Sequence, residues 1–163
     1  GPRGERVITG IERVSRPGLR IPGAWDPFEC AVRAVLGQQV SVAAGRTLAA
    51  RLVARLGQPV DASADGLTHL FPSPEAIAAA DLGGLGLTQA RSSALRALAR
   101  VVVEGALDFT APAEDVASAL EALPGIGAWT AQYVALRALC EPDAFPAADL
   151  VLRRAAAEWL AGG

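Results

Sequence analysis

The sequence contains no lysine, although its 163 residues include fifteen basic side chains, all of which are arginine. A lysine Schiff base is therefore excluded within these residues. Thiol and imidazole side chains are also few, namely Cys30, Cys140 and His69. Two cysteines cannot supply the four thiolates of an iron–sulfur cluster, and with one histidine they argue against a zinc site. We expect both cysteines to be buried free thiols, since each lies in an apolar helical pattern.

Long apolar runs and a strong net charge are also missing. No apolar stretch reaches the roughly 18 residues that a membrane-spanning helix needs, and the first residues do not predict a signal peptide. The formal net charge is −2, so no global positive field attracts nucleic acid. Binding driven by charge alone is disfavoured, but a local surface lined by arginine is not. Together with reduced thiols, these features favour a cytoplasmic location.

Hydrophobic residues make up 52% of the chain and recur at helical spacing almost throughout. Asp26, followed by Pro27 and Glu29, is typical of a helix start with a capping box, and Ser73 followed by Pro74 predicts a similar cap. Strand-like alternation and repeats of fixed period are not seen. We therefore predict an all-α fold of seven to nine helices. Predicted helices begin near Pro27, Ser41, Ser73, Thr88, Pro112 and Ala128.

The segment 123–127 reads Leu-Pro-Gly-Ile-Gly and interrupts what would otherwise be one apolar helix. Its two glycines permit backbone conformations that a side chain would block and let the backbone approach a partner closely. A helix starting near Ala128 would point its free N–H groups out of this turn, with the positive end of the helix dipole behind them. The pattern predicts a helix-hairpin-helix that binds an anion, such as a nucleic-acid phosphate, through backbone groups.

The same turn offers carbonyl oxygens to a cation. The backbone carbonyls of Glu121, Leu123 and Ile126 would hold a monovalent ion, Na⁺ or K⁺, that bridges to the same phosphate. The alternative is an ordinary αα-corner, in which glycine only ends the first helix. The turn by itself does not decide between the two.

Asp149 lies at the predicted start of the last helix, between an apolar Ala-Ala pair and the triplet Leu150-Val151-Leu152. A carboxylate at a helix N-terminus is stabilised as an anion. A simple N-cap explains this position. The apolar neighbours also suit a functional carboxylate, so both interpretations stay open at this point.

The stretch LPGIGAWTAQY, with an aspartate 22 positions after its second glycine, resembles the helix-hairpin-helix base-excision DNA glycosylase superfamily. The segments DPFECAVRAVLGQQVSVAAGRTLAARL and LPGIGAWTAQYVALRAL are similar to one branch, DNA-3-methyladenine glycosylase II, which removes alkylated bases. The resemblance runs from about Pro22 to Arg154. It implies an all-α fold of two lobes, with the hairpin and the aspartate facing a cleft between them.

This resemblance implies hydrolysis of the N-glycosidic bond of an alkylated base, 3-methyladenine in type, flipped out of double-stranded DNA during base excision repair. Asp149 matches the catalytic carboxylate. Trp129 and Tyr133, four residues apart on one helical face, match the aromatic base pocket. No cofactor is implied. The residues that match the phosphate-binding hairpin are Leu123, Pro124, Gly125, Ile126, Gly127 and Thr130.

Strand-cutting relatives carry a lysine two residues after the second glycine, where this chain has Trp129. Together with the lack of lysine, this predicts a monofunctional glycosylase without lyase activity. The side chain that fills the gap left by the flipped base matches Gln39, with Gln38 beside it. These glutamines would otherwise only cap or solvate an inter-helix turn. Candidates for phosphate contacts are Arg33, Arg46, Arg91 and Arg137.

We expect residues 1–163 to form one glycosylase domain that acts as a monomer, with residues 36–140 as the central lobe. Residues 1–35 and 141–163 are expected to contribute to the second lobe. The N-terminal β-rich domain and the last C-terminal helix of relatives are not expected here. Two other functions stay open: a non-catalytic helix-hairpin-helix module that binds DNA, and a glycosylase for other damaged purines.

Overall fold

Seven α-helices make up the regular structure of residues 21–61 and 67–161, the part of the chain that the computed structural model describes. Within these ranges no β-strand is present, and one isolated bridge joins Pro59 to His69. The all-α prediction is therefore confirmed. None of the described helices combines the length and apolarity needed to cross a bilayer. The helices are α1 (Pro27–Gly37), α2 (Val42–Leu56), α3 (Pro74–Ala79), α4 (Gln89–Val103), α5 (Ala113–Glu121), α6 (Ala128–Ala138) and α7 (Leu150–Ala161).

Polar caps set where the first four helices begin. The Asp26 carboxylate accepts a hydrogen bond from the Glu29 N–H at 2.9 Å. The predicted capping box is only half formed, because the Glu29 carboxylate pairs with Arg33 at 2.6 Å, one turn further along α1. Hydroxyl groups cap α2, α3 and α4, each 3.2 Å from a backbone nitrogen, and belong to Ser41, Ser73 and Thr88.

Helix α1 lies at the centre of the core. It packs against α2, α4 and α6, while α3 packs on α4 and α5 packs on α6. Its side chains Val32, Val35 and Leu36 are completely buried. This arrangement fixes α6, the helix after the hairpin, relative to the turn that follows α1. The facing helices contribute Leu52, Leu95, Leu98, Leu120 and Val134 to the core.

The expectation of two buried thiols is correct for one cysteine only. Cys30 on α1 is buried, and burial raises the pKa of its thiol to about 11. Cys140 is exposed, so its predicted burial is wrong. The reason is local, because α6 ends at Ala138 and Cys140 adopts a left-handed conformation just beyond it, with φ 56°.

Helix α7 differs from the others because none of its side chains is buried. Val151 and Trp159, for example, are 74% and 52% exposed. The connection that leads to α7 is tied to α6, since the Phe145 N–H donates to the Gln132 side-chain oxygen at 3.1 Å. The described contacts that hold α7 therefore lie near its N-terminal end. The division into two lobes stays a prediction, and residues 1–20 of the second lobe lie outside the described residues.

Candidate active site

The two glycines of the hairpin between α5 and α6 have different roles. Gly125 has φ +82°, and a Cβ atom there would lie 3.1 Å from the Ala94 Cβ. A side chain at this position would be strained and crowded, so the fold itself requires this glycine. Gly127 has φ −107°, and an added Cβ would meet no atom within 4 Å. The fold does not require Gly127, which leaves open space in front of the turn.

The N-terminus of α6 presents free backbone donors at this open space. Gly127 is the N-cap and supplies no capping side chain, and the first turn of α6 carries no acidic residue. The backbone N–H groups of Gly127, Ala128 and Trp129 have no hydrogen-bond partner within the described residues. Together with the helix dipole, these donors form an anion site that needs no basic side chain.

Thr130 is buried and stabilises the hairpin from inside, although it is among the residues predicted to bind phosphate. It is 2% exposed, and its hydroxyl oxygen accepts a hydrogen bond from the Gln38 amide at 2.9 Å. Its own N–H donates to the Gly127 carbonyl at 2.9 Å. The same Gln38 amide nitrogen donates to the Gly125 carbonyl at 3.0 Å. Gln38 therefore joins the turn after α1 to the hairpin.

Arg91 holds the same turn from the other side. Its guanidinium donates to the Gln38 carbonyl at 2.6 Å and to the Val35 carbonyl at 3.3 Å. The Arg91 guanidinium is therefore engaged in intramolecular hydrogen bonds, although Arg91 is one of the arginines predicted to contact phosphate. Gln39, next in the chain, is exposed and has φ +53°. Since Gln38 is engaged with the hairpin, the wedge prediction is carried forward for Gln39 alone.

Asp149 is both the cap of α7 and a hydrogen-bond partner of α6. One carboxylate oxygen accepts the backbone N–H groups of Val151 and Leu152, at 2.8 and 3.1 Å. The other accepts the indole N–H of Trp129 at 2.8 Å. These donors, the Leu152 N–H foremost and then the indole, hold the pKa of Asp149 below its usual value. The carboxylate is thus a fixed anion beside the predicted base pocket.

Trp129, Tyr133 and Arg137 form a column along α6. The two aromatic rings stack with centroids 5.4 Å apart and planes inclined by 21°. The Arg137 guanidinium lies over the Tyr133 ring, 5.8 Å from its centroid. The column follows from sequence spacing, because residues four apart are neighbours on one helical face. Asp149 contacts the Trp129 end of this column, and Arg137 forms the other end.

A cavity of about 240 Å³ opens between the start of α1 and the second half of α6. Tyr133 lines it, whereas Trp129 does not, so the predicted base-pocket pair contributes one ring to the cavity. A larger groove of about 370 Å³ between α3 and α4 contains no predicted site residue. Side chains from both helices line the smaller cavity, among them Asp26, Glu29, Cys30, Tyr133 and Arg137.

Sequence reasoning missed the contribution of α1 to this cavity. The sequence pattern predicts only capping roles for Asp26 and Glu29, and it offers Arg137 only as one of four candidates for a phosphate contact. The spacing of Trp129, Tyr133 and Arg137 was a signal that could have placed Arg137 beside the aromatic pair. No local pattern could have placed α1 opposite them, because that contact joins residues about 100 positions apart.

Comparisons with known proteins bear on the family to which the chain belongs. The family model described as HhH-GPD superfamily base excision DNA repair protein matches residues 32–162. The chain is 48% identical over 142 residues to a probable bifunctional transcriptional activator/DNA repair enzyme AlkA of Mycobacterium tuberculosis, covering 86% of this chain and 29% of that protein. It is 42% identical over 145 residues to DNA-3-methyladenine glycosylase 2 of Escherichia coli, covering 86% and 51%.

A solved structure shares the fold. The 3-methyladenine DNA-glycosylase from Archaeoglobus fulgidus matches with a TM-score of 0.66 and 32% identity, covering 94% of this chain and 53% of that chain. The chain spans about half or less of the length of the two curated relatives. The family model nevertheless covers most of the chain, including the hairpin, the aromatic pair and Asp149. The chain therefore belongs to the HhH-GPD superfamily of base excision DNA repair proteins.

Proposed function

We propose that this chain hydrolyses the N-glycosidic bond of alkylated bases in double-stranded DNA, as a monofunctional glycosylase. The observation that carries the proposal is the hydrogen bond from the Trp129 indole to the Asp149 carboxylate, 2.8 Å long. It joins a fixed anion to an aromatic surface on the helix that begins at the hairpin's anion site. The names of the Escherichia coli and Archaeoglobus fulgidus relatives, both 3-methyladenine glycosylases, support the same substrate class.

The chemistry of the reaction suits such an anion. As the base leaves, the sugar becomes oxocarbenium-like, and a carboxylate beside it stabilises the developing positive charge. Because its hydrogen bonds lower the pKa of Asp149, this carboxylate is a weak proton acceptor. Its main role is therefore electrostatic, and water attacks a sugar cation that already needs little assistance from a base. Alkylation makes the departing base a good leaving group, which reduces the need for a general acid.

The aromatic column sets where the flipped base binds. Trp129 and Tyr133 stack on each other, so a base does not insert between them. It would contact the outer face of Trp129 or the ring edges along the column, with the sugar near Asp149. A base made cationic by alkylation is attracted by the electron-rich faces of such rings. Gln39, exposed on the neighbouring turn, would fill the gap left in the duplex.

The hairpin would hold the DNA backbone. A phosphate would accept from the free N–H groups at the start of α6, which explains DNA binding by a chain with net charge −2. A monovalent cation held by the carbonyls of Glu121, Leu123 and Ile126 would bridge to that phosphate. The Leu123 carbonyl accepts the Ile126 N–H at 3.1 Å and keeps a second lone pair, so its present contact is compatible with such an ion.

Replacing Asp149 with Asn tests the proposed activity. The change removes the negative charge and nearly preserves size, so we expect the single-turnover rate of base release from methylated double-stranded DNA to fall by about 10²-fold or more. Asp143→Asn, on the exposed connection before α7, is the matched control and should keep the wild-type rate. Equal release by wild type and Asp149→Asn would remove Asp149 from this role. Absence of release by the wild type would contradict the activity itself.

A pair of glycine variants tests the hairpin. Gly127→Ala adds a methyl group to open space, so the protein should fold normally while its Kd for double-stranded DNA rises by about tenfold, because the phosphate is kept away from the N–H groups. Gly125→Ala should instead lower the melting temperature, since alanine is strained at φ +82°. Fluorescence anisotropy and thermal unfolding measure the two effects. Unchanged DNA affinity of Gly127→Ala would argue against a phosphate at this turn.

Borohydride trapping tests the absence of lyase activity. Because the chain has no lysine and Trp129 stands where strand-cutting relatives carry one, we expect no covalent adduct with DNA during base release. Denaturing gel electrophoresis of the reduced reaction measures this, with a lysine-dependent lyase as the positive control. An adduct between this chain and DNA that depends on borohydride would overturn the monofunctional proposal.

A further inference from the structure

The guanidinium of Arg137 has no hydrogen bond or ion pair within the described residues. Its Nε atom is fully buried and has no acceptor. The guanidinium lies over the ring of Tyr133, with its central carbon 5.8 Å from the ring centroid. An arginine side chain offers five N–H donors and no acceptor, and an unsatisfied buried donor is costly. Nε is sealed inside the protein, but the N–H groups on the two terminal nitrogens of Arg137 are open to a ligand that brings an acceptor atom.

The other ionisable groups of the same cavity are already engaged. Asp26 accepts the Glu29 N–H at 2.9 Å, and the Glu29 carboxylate pairs with Arg33 at 2.6 Å. Burial keeps the Cys30 thiol protonated, so it does not act as an anion. Unlike these groups, Arg137 is left free to bind a ligand. It is a positively charged donor beside the ring of Tyr133.

The order of the three side chains along the column indicates which part of a bound base would lie near Arg137. Asp149 contacts the Trp129 end, where the sugar would lie, and Arg137 lies two side chains further along α6. In a purine nucleotide, the edge of the six-membered ring is the part farthest from the glycosidic bond. A purine that follows the column therefore brings the substituent at its position 6 toward the guanidinium.

Damaged purines differ in whether the substituent at position 6 accepts or donates a hydrogen bond. Hypoxanthine and 7-methylguanine carry an oxygen there, which accepts a hydrogen bond. 3-Methyladenine carries an amino group, which in its usual form donates. An oxygen would accept a hydrogen bond from the terminal N–H groups of Arg137, whereas an amino group at the same position would place a donor against a donor.

We infer that Arg137 is a specificity-determining residue that binds the oxygen at position 6 of a purine and thereby favours oxopurines over aminopurines. The inference rests on the proposed glycosylase function. A DNA phosphate is the other oxygen ligand open to an arginine. The position of the guanidinium over Tyr133, where both side chains line the same cavity, favours the base instead.

The test compares three bases released by one set of variants. Single-turnover release of hypoxanthine, 7-methylguanine and 3-methyladenine is measured for wild type, Arg137→Leu and Arg137→Gln. We expect Arg137→Leu to lower the release of both oxopurines by about tenfold relative to 3-methyladenine, because it removes a charged hydrogen bond. Arg137→Gln keeps an N–H donor and should recover part of the loss. Arg100→Leu, an exposed arginine on α4, should change none of the three rates.

The possible results separate the inference from the proposed function. Equal loss for all three bases would assign Arg137 a structural role and overturn the inference. Unchanged ratios together with weaker binding to undamaged DNA would assign it to a phosphate, which also overturns it. If the wild type releases no base, the glycosylase proposal fails. In that case, the ratio of affinities for duplexes with deoxyinosine or deoxyadenosine at one position decides the inference, which predicts a preference for deoxyinosine that Arg137→Leu abolishes.

Discussion

The hydrogen bond between the Trp129 indole and the Asp149 carboxylate is the contact on which the candidate site depends. It joins the first turn of α6 to the start of α7, a helix with no buried side chain of its own. It also brings the aromatic column and the carboxylate together. Because α6 packs on the central helix α1, the indole links the carboxylate, which also caps α7, to the core of the protein. Loss of this contact would remove the one direct hydrogen bond, among the described residues, between the anion and the surface that is proposed to hold the base.

The chain uses the N-termini of two neighbouring helices in opposite ways. Asp149 fills the N-terminus of α7, and the helix dipole together with the N–H donors keeps that carboxylate ionised. The N-terminus of α6 has no capping side chain, so its donors stay free for an outside anion. This division explains how a chain with net charge −2 would bind a phosphate near the carboxylate that is proposed to be catalytic. Backbone dipoles, which act over short distances, replace the positive surface that the composition lacks.

The sequence predicted the features that depend on local spacing. Caps at Asp26 and Ser73 are visible because a cap and its N–H lie three residues apart. The column of Trp129 and Tyr133 follows from the helical repeat. Features that depend on distant pairs were not accessible in this way. Gln38 binds the hairpin across 87 and 92 residues of sequence, so a residue predicted as part of the wedge proved to be engaged elsewhere. A local pattern can also mislead. Glu29 pairs with Arg33, so the capping box that its spacing predicts is incomplete.

The central claim is that the Trp129 indole binds the Asp149 carboxylate and, second to the Leu152 N–H, lowers its pKa. An NMR titration of the side-chain carboxyl carbon of Asp149, in wild type and in Trp129→Phe, tests it most directly. We predict a wild-type pKa below the ordinary value of about 3.9 and a higher pKa in Trp129→Phe, because phenylalanine removes one donor to the charged form. The remaining backbone donors should keep the variant's shift partial. An Asp149 pKa that is unchanged by Trp129→Phe, or that lies above the ordinary value in the wild type, would contradict the account.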